Sequence, residues 1–551
     1  MRVTAIIGFL VGAAVSRLHW SQFWPELNWL ALWRGAGLGW LAGIVLSAPL
    51  VYILSRRASG SRAGPRPRWR QVAGVVLTAL AMAPLALWLT MALPGGLMRK
   101  AMAAGRRPGD SRPNLLLITI DALRTDHVGA YGSTAGLTSN LDAFAQEATR
   151  YDAAYVSSPW TLMSFGAIFT SRPPSECGLK VLPNESAKRC TFGQRLSQRT
   201  PLLSEKLAGL GYATAAELTN RFLDSERGWA RGFDCYRNES SSESSPREAA
   251  LAQPVTQHAR EWLSLNRREP FFLWVHYLDL HGPHETPGMR EKLESQYPEE
   301  WAAGRLQWLR EMRSEEQATR SRYQEFCRGK YAEGVRYVDR WVGELLEEIR
   351  AAGIYDDSLI VITADHGEEL FDHGGFEHGH SMHEEVLAVP LLVKWPKGVA
   401  ADRWVGQTVA VMDLGHTFLE FAEAPEASRP GWRSLPRRDG AQGTEVYAEG
   451  ILYGDEQTAL ITDDYKVIYH PHDSSAGGRF EVYDRRTDRQ ERHDLADTGA
   501  AGELCARLKK RTEAAQAAAV TWYHTAEKES RELTLSEKAK RDLRSLGYVG
   551  E

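Results

Sequence analysis

The chain has 551 residues, room for one large domain with accessory segments, and its 66 basic and 70 acidic side chains leave a formal charge of -4. That near-neutral balance suggests no polyanion-binding surface, so nucleic acid is not expected as a partner. Five cysteines, an odd number without metal-ligand spacing, exclude a disulfide or zinc scaffold; at most a bond such as Cys177–Cys190 is conceivable.

Residues 1–100 read as transmembrane helices. GAGLGWLAGIVLSAPLVYIL (35–54) and QVAGVVLTALAMAPLALWLTMAL (71–93) are charge-free runs long enough to cross a bilayer. An earlier run, 4–15, is short and reads as a retained helix or a signal-peptide core; no small-residue cleavage site follows it, which favours the helix. The loop between the two long runs carries Arg56, Arg57, Arg62, Arg66, Arg68 and Arg70, so it is expected on the cytoplasmic side. The expectation is a multi-pass membrane protein whose catalytic domain lies outside the cytoplasm.

GRRPGDSRP ends a linker, 101–112. Three short, continuous apolar runs follow at intervals: NLLLITI (114–120), FFLWVH (271–276) and SLIVIT (358–363), as strands buried on both faces should look. Between them, apolar residues at Tyr331, Val335, Val338, Val342, Leu345, Leu346 and Ile349 mark one helix face. Strand–helix alternation predicts a mainly parallel sheet covered by helices over 113–430. The charged stretch 290–328 reads as a helical surface insertion. In 431–551, EVYAEG, TALITDDYKVIYH and RFEVYDRRTD predict a small antiparallel sheet, and 500–541 an Ala/Lys/Glu-rich helix.

Each apolar run ends in polar residues that a structural strand does not need. The first runs into Asp121; the second into HYLDLHGPH, with His276, Asp279, His281 and His284; the third into Asp365 and His366. Ligands bind at the carboxyl ends of strands in open parallel sheets, so these groups should converge. Carboxylates with imidazole suit one divalent cation, zinc, manganese or, where oxygen donors dominate, calcium. A lone Asp after a strand is more often a cap or loop residue, but Asp365-His366-Gly367 with Asp121 at a matching strand end favours a metal site. The histidines of FDHGGFEHGHSMHEE are weaker evidence, since such loops are often simply solvated.

PNLLLITIDALRTDHVGAYG, FTSRPPSECG, GYATAAELTN, PFFLWVHYLDLHGPH and ITADHGEELFDHGGFEHGHSMHEEVLAVPLLVKWP, in that order, resemble the sulfatase family of the alkaline phosphatase superfamily over about 113–425. The resemblance implies an α/β/α sandwich with a smaller C-terminal sheet. It places Asp121, Asp365 and His366 on metal ligands and His281 on the histidine that assists the leaving group. Thr161 falls where sulfatases carry the Cys or Ser converted to formylglycine in a C/S-x-P-x-R motif. Here the motif reads Thr161-Leu162-Met163-Ser164-Phe165, without the modifiable residue, the proline or the arginine. Ala122 stands where many sulfatases have a second aspartate, and Asn220 near their lysine-x-histidine pair. His378, or else His380, lies near a later substrate-binding lysine, with His378 preferred.

A threonine cannot release sulfate as a formylglycine hydrate does, but metal coordination would make its hydroxyl a nucleophile toward a phosphoester. Phosphoethanolamine and phosphoglycerol transferases of this superfamily use such a threonine. The sequence therefore ranks a membrane-anchored, metal-dependent hydrolase or transferase of phosphate or sulfate esters first, with phosphoesters ahead. Its substrate would be a small-molecule, lipid-headgroup or saccharide ester. The alternatives are a sulfuric ester hydrolase proper, or a non-catalytic relative in which Thr161 is only a helix cap.

Overall fold

In the computed structural model, the described residues are 111–526 without 178, 180–195, 198, 240–251, 267–269, 283–285, 287–296, 298–315, 429–431, 441 and 474–476. NLLLITI carries no charge and forms β1 (Asn114–Ile120), fully buried from its second residue on. The other strands of its sheet are β2 (Thr149–Tyr151), β3 (Ala213–Leu218), β4 (Cys235–Asn238), β5 (Phe271–Tyr277), β6 (Ser358–Ala364), β7 (Leu391–Lys394) and β8 (Trp404–Val405). The order across the sheet is β8-β2-β7-β6-β1-β5-β3-β4. Only β7 runs antiparallel to its neighbours; β1, β5 and β6, the three runs legible in the sequence, lie side by side and parallel at the centre.

Successive side chains of a strand point to opposite faces, and β5 uses both. Phe271 meets Trp262 of α2 (Ala252–Asn266), with ring centroids 5.5 Å apart. On the other face Trp274 meets Phe169 of α1 (Thr161–Thr170) at 4.6 Å, and Phe272 meets Phe418 of α4 (Leu414–Phe421) at 5.7 Å. The long helix α3 (Gln317–Ala351) packs along α2. Helices therefore cover both faces, as expected.

A second, four-stranded antiparallel sheet follows in sequence order: β9 (Val446–Ala448), β10 (Thr458–Ile461), β11 (Tyr465–His470) and β12 (Arg479–Asp484). Leu508 of α5 (Gly502–Ala526) joins Tyr447, Leu460, Val467, Tyr469 and Val482 in its apolar core. The segment after β9 ties this sheet to the larger one. Glu449 N donates to Ser157 O at 3.0 Å, Trp160 Nε1 donates to Gly450 O at 2.7 Å, and Leu452 N donates to Gly379 O at 2.7 Å.

Two expectations are corrected. The multi-pass membrane reading, with its extracytoplasmic catalytic domain, finds no span: among the described residues no helix is long and apolar enough to cross a membrane. The longest, α3, alternates apolar residues with Arg, Lys, Asp and Glu because only one face is buried. The apolar runs 4–15, 35–54 and 71–93 lie outside the described residues. The charged stretch 290–328 is likewise no separate insertion in its later part, since 317–328 form the first turns of α3. Among the described residues Cys177, Cys235, Cys327 and Cys505 are free thiols, and Cys190 lies outside them.

The turn after β1 is held from α3. Tyr331 Oη accepts from Arg124 N at 2.9 Å and donates to Ala122 O at 2.7 Å, while Ala122 sits in the left-handed region at φ 58. A non-glycine residue there is strained by on the order of 1–3 kcal/mol, so the turn depends on such outside bonds. Tyr331→Phe would leave a buried N–H and a buried carbonyl short of partners. It should lower stability by about 1–3 kcal/mol in denaturant unfolding. An unchanged midpoint would mean that the turn holds itself.

Candidate active site

Parallel pairing sets Ile120 of β1 opposite Ala364 of β6, so the next residues, Asp121 and Asp365, leave the sheet level with one another. Asp121 N still donates to Tyr277 O at 2.8 Å, which carries the ladder one residue past the strand and fixes where that carboxylate stands. His366 follows Asp365, and its Nδ1 lies 2.9 Å from Gly367 O. A carbonyl can only accept, so Nδ1 carries the proton and the Nε2 lone pair faces the other groups. Gly367 is required because a Cβ there would collide with the Glu385 carbonyl oxygen.

Thr161 is the first helical residue of α1. The N-cap is Trp160, which makes no side-chain capping bond, so Thr161 is not spent as a cap. Its Oγ1 lies 3.2 Å from His366 Nε2 and 3.4 Å from Asp121 Oδ2. Asp121, Thr161, Asp365 and His366 are all fully buried. One donor atom each from Asp121, Asp365 and His366 lies within 4.8 Å of the others.

Among the described residues, Asp121 Oδ1 and Asp365 Oδ2 are buried without a hydrogen-bond partner. Unpartnered carboxylate oxygens cost several kcal/mol in such a place, and a divalent cation removes that cost. The residues fit the cation that the sequence implied. Their electrostatics agree. Burial and then the Asp121 charge push Asp365 well above the carboxylate range. Burial also works to raise Asp121, but His276 beside it, with His366 and His281, holds it below the usual value. Burial lowers His366, against the pull of Asp121, which favours a neutral ring with a free lone pair.

His281, 9% exposed, and His378, 3% exposed, stand above this trio. Their rings are 5.0 Å apart, and His378 lies over His366 at 4.2 Å. His281 Nδ1 lies 2.8 Å from Gly282 O, a carbonyl that can only accept, so Nδ1 carries a proton. His380 turns away to Glu369, 2.7 Å from its Oε2, so of the two histidines His378 is the one that lies beside the trio.

The other strand-end residues separate. His276 Nε2 is 3.5 Å from Asp121 Oδ2, and Asn220 Nδ2 donates to the same oxygen at 3.3 Å. Asp279 instead accepts from Ala252 N at the start of α2, and burial pushes it up to about 8. His284 lies outside the described residues. The sequence reading missed Glu368. Its buried carboxylate lies 3.2 Å from His378 Nδ1, and burial and then Glu377 raise it well above the ordinary range. Arg124 binds the Glu368 carbonyl at 2.9 Å and the Asp372 carboxylate, locking the turn after β1 to the loop after β6.

Comparison with known proteins identifies the family. The family profile described as Sulfatase matches residues 113–424, and one described as N-sulphoglucosamine sulphohydrolase, C-terminal, matches 371–518. The chain is 23% identical over 437 residues to the uncharacterized sulfatase YidJ of Escherichia coli, covering 70% of this chain and 83% of that one. It is 26% identical over 401 residues to N-acetylgalactosamine-6-sulfatase of Canis lupus familiaris, covering 68% and 74%. Among solved structures it resembles a protein in complex with its substrate D-glucosamine-2-N,6-O-disulfate. That likeness has a TM-score of 0.56 and 18% identity, over 76% of this chain and all of the other. With more than half of its length matching one family, the chain belongs to the sulfatases.

Proposed function

We propose that the chain is a metal-dependent hydrolase of sulfate monoesters carried on a saccharide. The observation that carries it is the pair of buried, unpartnered oxygens, Asp121 Oδ1 and Asp365 Oδ2, beside Thr161 and the His366 lone pair. The activities by which the relatives are named support the ester class and the saccharide. They reverse the order of the two ester classes reached from the sequence, and they offer nothing for a transferase.

Asp121, Asp365, His366 and Thr161 would hold the cation, and calcium, typical of sulfatases, suits the oxygen-rich set better than zinc or manganese. When bound, it supplies a positive charge that favours an ionised hydroxyl and offsets the charge of the ester oxygens. Thr161 Oγ1 attacks sulfur, its proton passing to Asp121 Oδ2, 3.4 Å away. The bond from sulfur to the sugar oxygen breaks, and His281, entering with both ring nitrogens protonated and Nδ1–H kept on the Gly282 carbonyl, gives that oxygen the Nε2 proton. Water then attacks the sulfur of the sulfo-threonine, giving one proton to His281 Nε2 and the other to solvent, while the S–Oγ1 bond breaks, Asp121 returns its proton to Thr161 Oγ1 and sulfate leaves. The start of α1 directs its first-turn N–H groups toward the anion. His378, held by Glu368, is placed to donate to an ester oxygen.

A second reading, phosphate monoesters as the better substrates, rests on Thr161 itself. Phe165, in the place of the motif arginine, packs on Trp274 at 4.9 Å and on the His276 ring at 5.0 Å, so it belongs to the core and gives no charge to a sulfate. A phospho-threonine is also cleared more readily by water than a sulfo-threonine.

Asp365→Asn should lose most of the bound calcium in elemental analysis; equal calcium in variant and wild type would sink the metal site. On a panel of saccharide sulfates and matched phosphates, the wild type should show the higher kcat/KM on a sulfate, and the reverse ranking would select the second reading. Thr161→Ala should cut turnover of whichever ester is preferred by at least about 10³-fold with metal still bound. His281→Ala should slow saccharide esters by about 10²–10⁴-fold but nitrophenyl esters far less. Equal losses on both would remove its role as the acid.

A further inference from the structure

Residues 371–385 of the loop after β6 hold four histidines, and of these His378 stands over the site. His373 and His383 turn together toward the C-terminal sheet. Their rings stack face to face, centroids 3.8 Å apart and planes 5° from parallel. His373 Nδ1 lies 2.8 Å from Glu385 Oε1, and His383 Nδ1 lies 2.9 Å from Glu491 Oε2. Glu491 comes from beyond β12, more than a hundred residues along the chain; it is 4% exposed, and its other oxygen is 2.7 Å from Lys466 Nζ. One donor atom each from His373, His383 and Glu491 lies within 4.8 Å of the others.

This donor set differs in kind from that of the catalytic trio. Two imidazoles and a carboxylate are the ligands of a borderline cation such as Zn²⁺, whereas two carboxylates and one imidazole, with a hydroxyl, lean toward a harder ion. We propose that His373, His383 and Glu491 form a second metal site that binds Zn²⁺, with Glu385 placed as a further donor. Each imidazole now shares a proton with a carboxylate. The cation takes the place of those protons, which go to solvent as it binds. A tetrahedral ion needs donors a little over 3 Å apart, so as it binds the 2.9 Å His383–Glu491 pair opens slightly and the two stacked rings tilt apart until their in-plane lone pairs converge. Lys466 keeps the Glu491 oxygen it already holds.

The consequence is mechanical. Residues 373 and 383 bracket His378, so an ion held there with Glu491 fastens both ends of the loop that carries His378 to the C-terminal sheet. The proposal stands on its own geometry, whichever ester the catalytic site takes.

The test is equilibrium dialysis of the untagged full chain against Zn²⁺ under saturating Ca²⁺, with zinc counted by elemental analysis. Wild type and Asp365→Asn should each retain one zinc per chain, and His373→Gln/His383→Gln should retain none at the same free zinc. Glu491→Gln should weaken binding at least tenfold. Circular dichroism checks that the double variant is folded; if it is not, Co²⁺ titration of Asp365→Asn replaces it, where imidazole-ligated visible d–d bands that Zn²⁺ bleaches support the site. Equal zinc in wild type and the double variant, zinc lost only in Asp365→Asn, or no cobalt bands would overturn the proposal.

Discussion

Two carboxylates that leave adjacent strands at the same level, with no water to solvate them, repel each other strongly, and much of the surrounding structure answers that repulsion. Asp121 and Asp365 are brought level by the β1–β6 register, and neither can move without shifting a central strand. His276 and Asn220 gather on one side of Asp121, and the Ala122 N–H reaches Asp365 Oδ1 at 3.4 Å. These hydrogen-bonding neighbours relieve the pair without cancelling it. What remains is a focused negative potential at the point where Thr161 and the His366 lone pair arrive, strongest for a compact divalent charge.

Legibility in the sequence followed burial. β1, β5 and β6 could be read because burial on both faces leaves no polar residue in the run. β2 has three residues, too few to show any period. ATAAEL of β3 has a helix former's composition and becomes a strand only because β5 and β4 pair with it. Asp121 and Asp365-His366 stood out as polar residues where an apolar run stops. Glu368 did not, because its partner His378 lies ten positions on, across a short hairpin of Glu369–Leu370 with Phe376–Glu377, and hairpin register is invisible without the pairing. The first hundred residues were read from hydropathy alone, and they lie outside what the structure describes.

The histidine-rich loop shows why composition is a poor guide to role. Its four imidazoles meet four environments: His378 over His366, His380 on Glu369, His373 on Glu385, and His383 on Glu491. Each assignment depends on which way a tight loop turns, and a run of solvated histidines would have looked the same on the page. The loop also joins what the sequence divides, since its middle, at His378, stands over the end of the large sheet while His373 and His383 on either side meet Glu491, beyond the small one.

The bond from Trp160 Nε1 to Gly450 O, just before Thr161, spans 290 positions of the chain. At ribosomal rates of 5–20 residues per second, α1 would wait about 15–60 s for that partner after its own synthesis. Through that interval the aromatic face of α1 can pack on β5 only once β5 has emerged, and its first turn still lacks the carbonyl that pins Trp160. A nascent chain thus lacks this tie until its second sheet has begun to form, and a chain truncated between Phe421 and Gly450 would keep every strand of the large sheet yet leave the first turn of α1 unpinned. The late segment acts as a completion signal written into the order of synthesis.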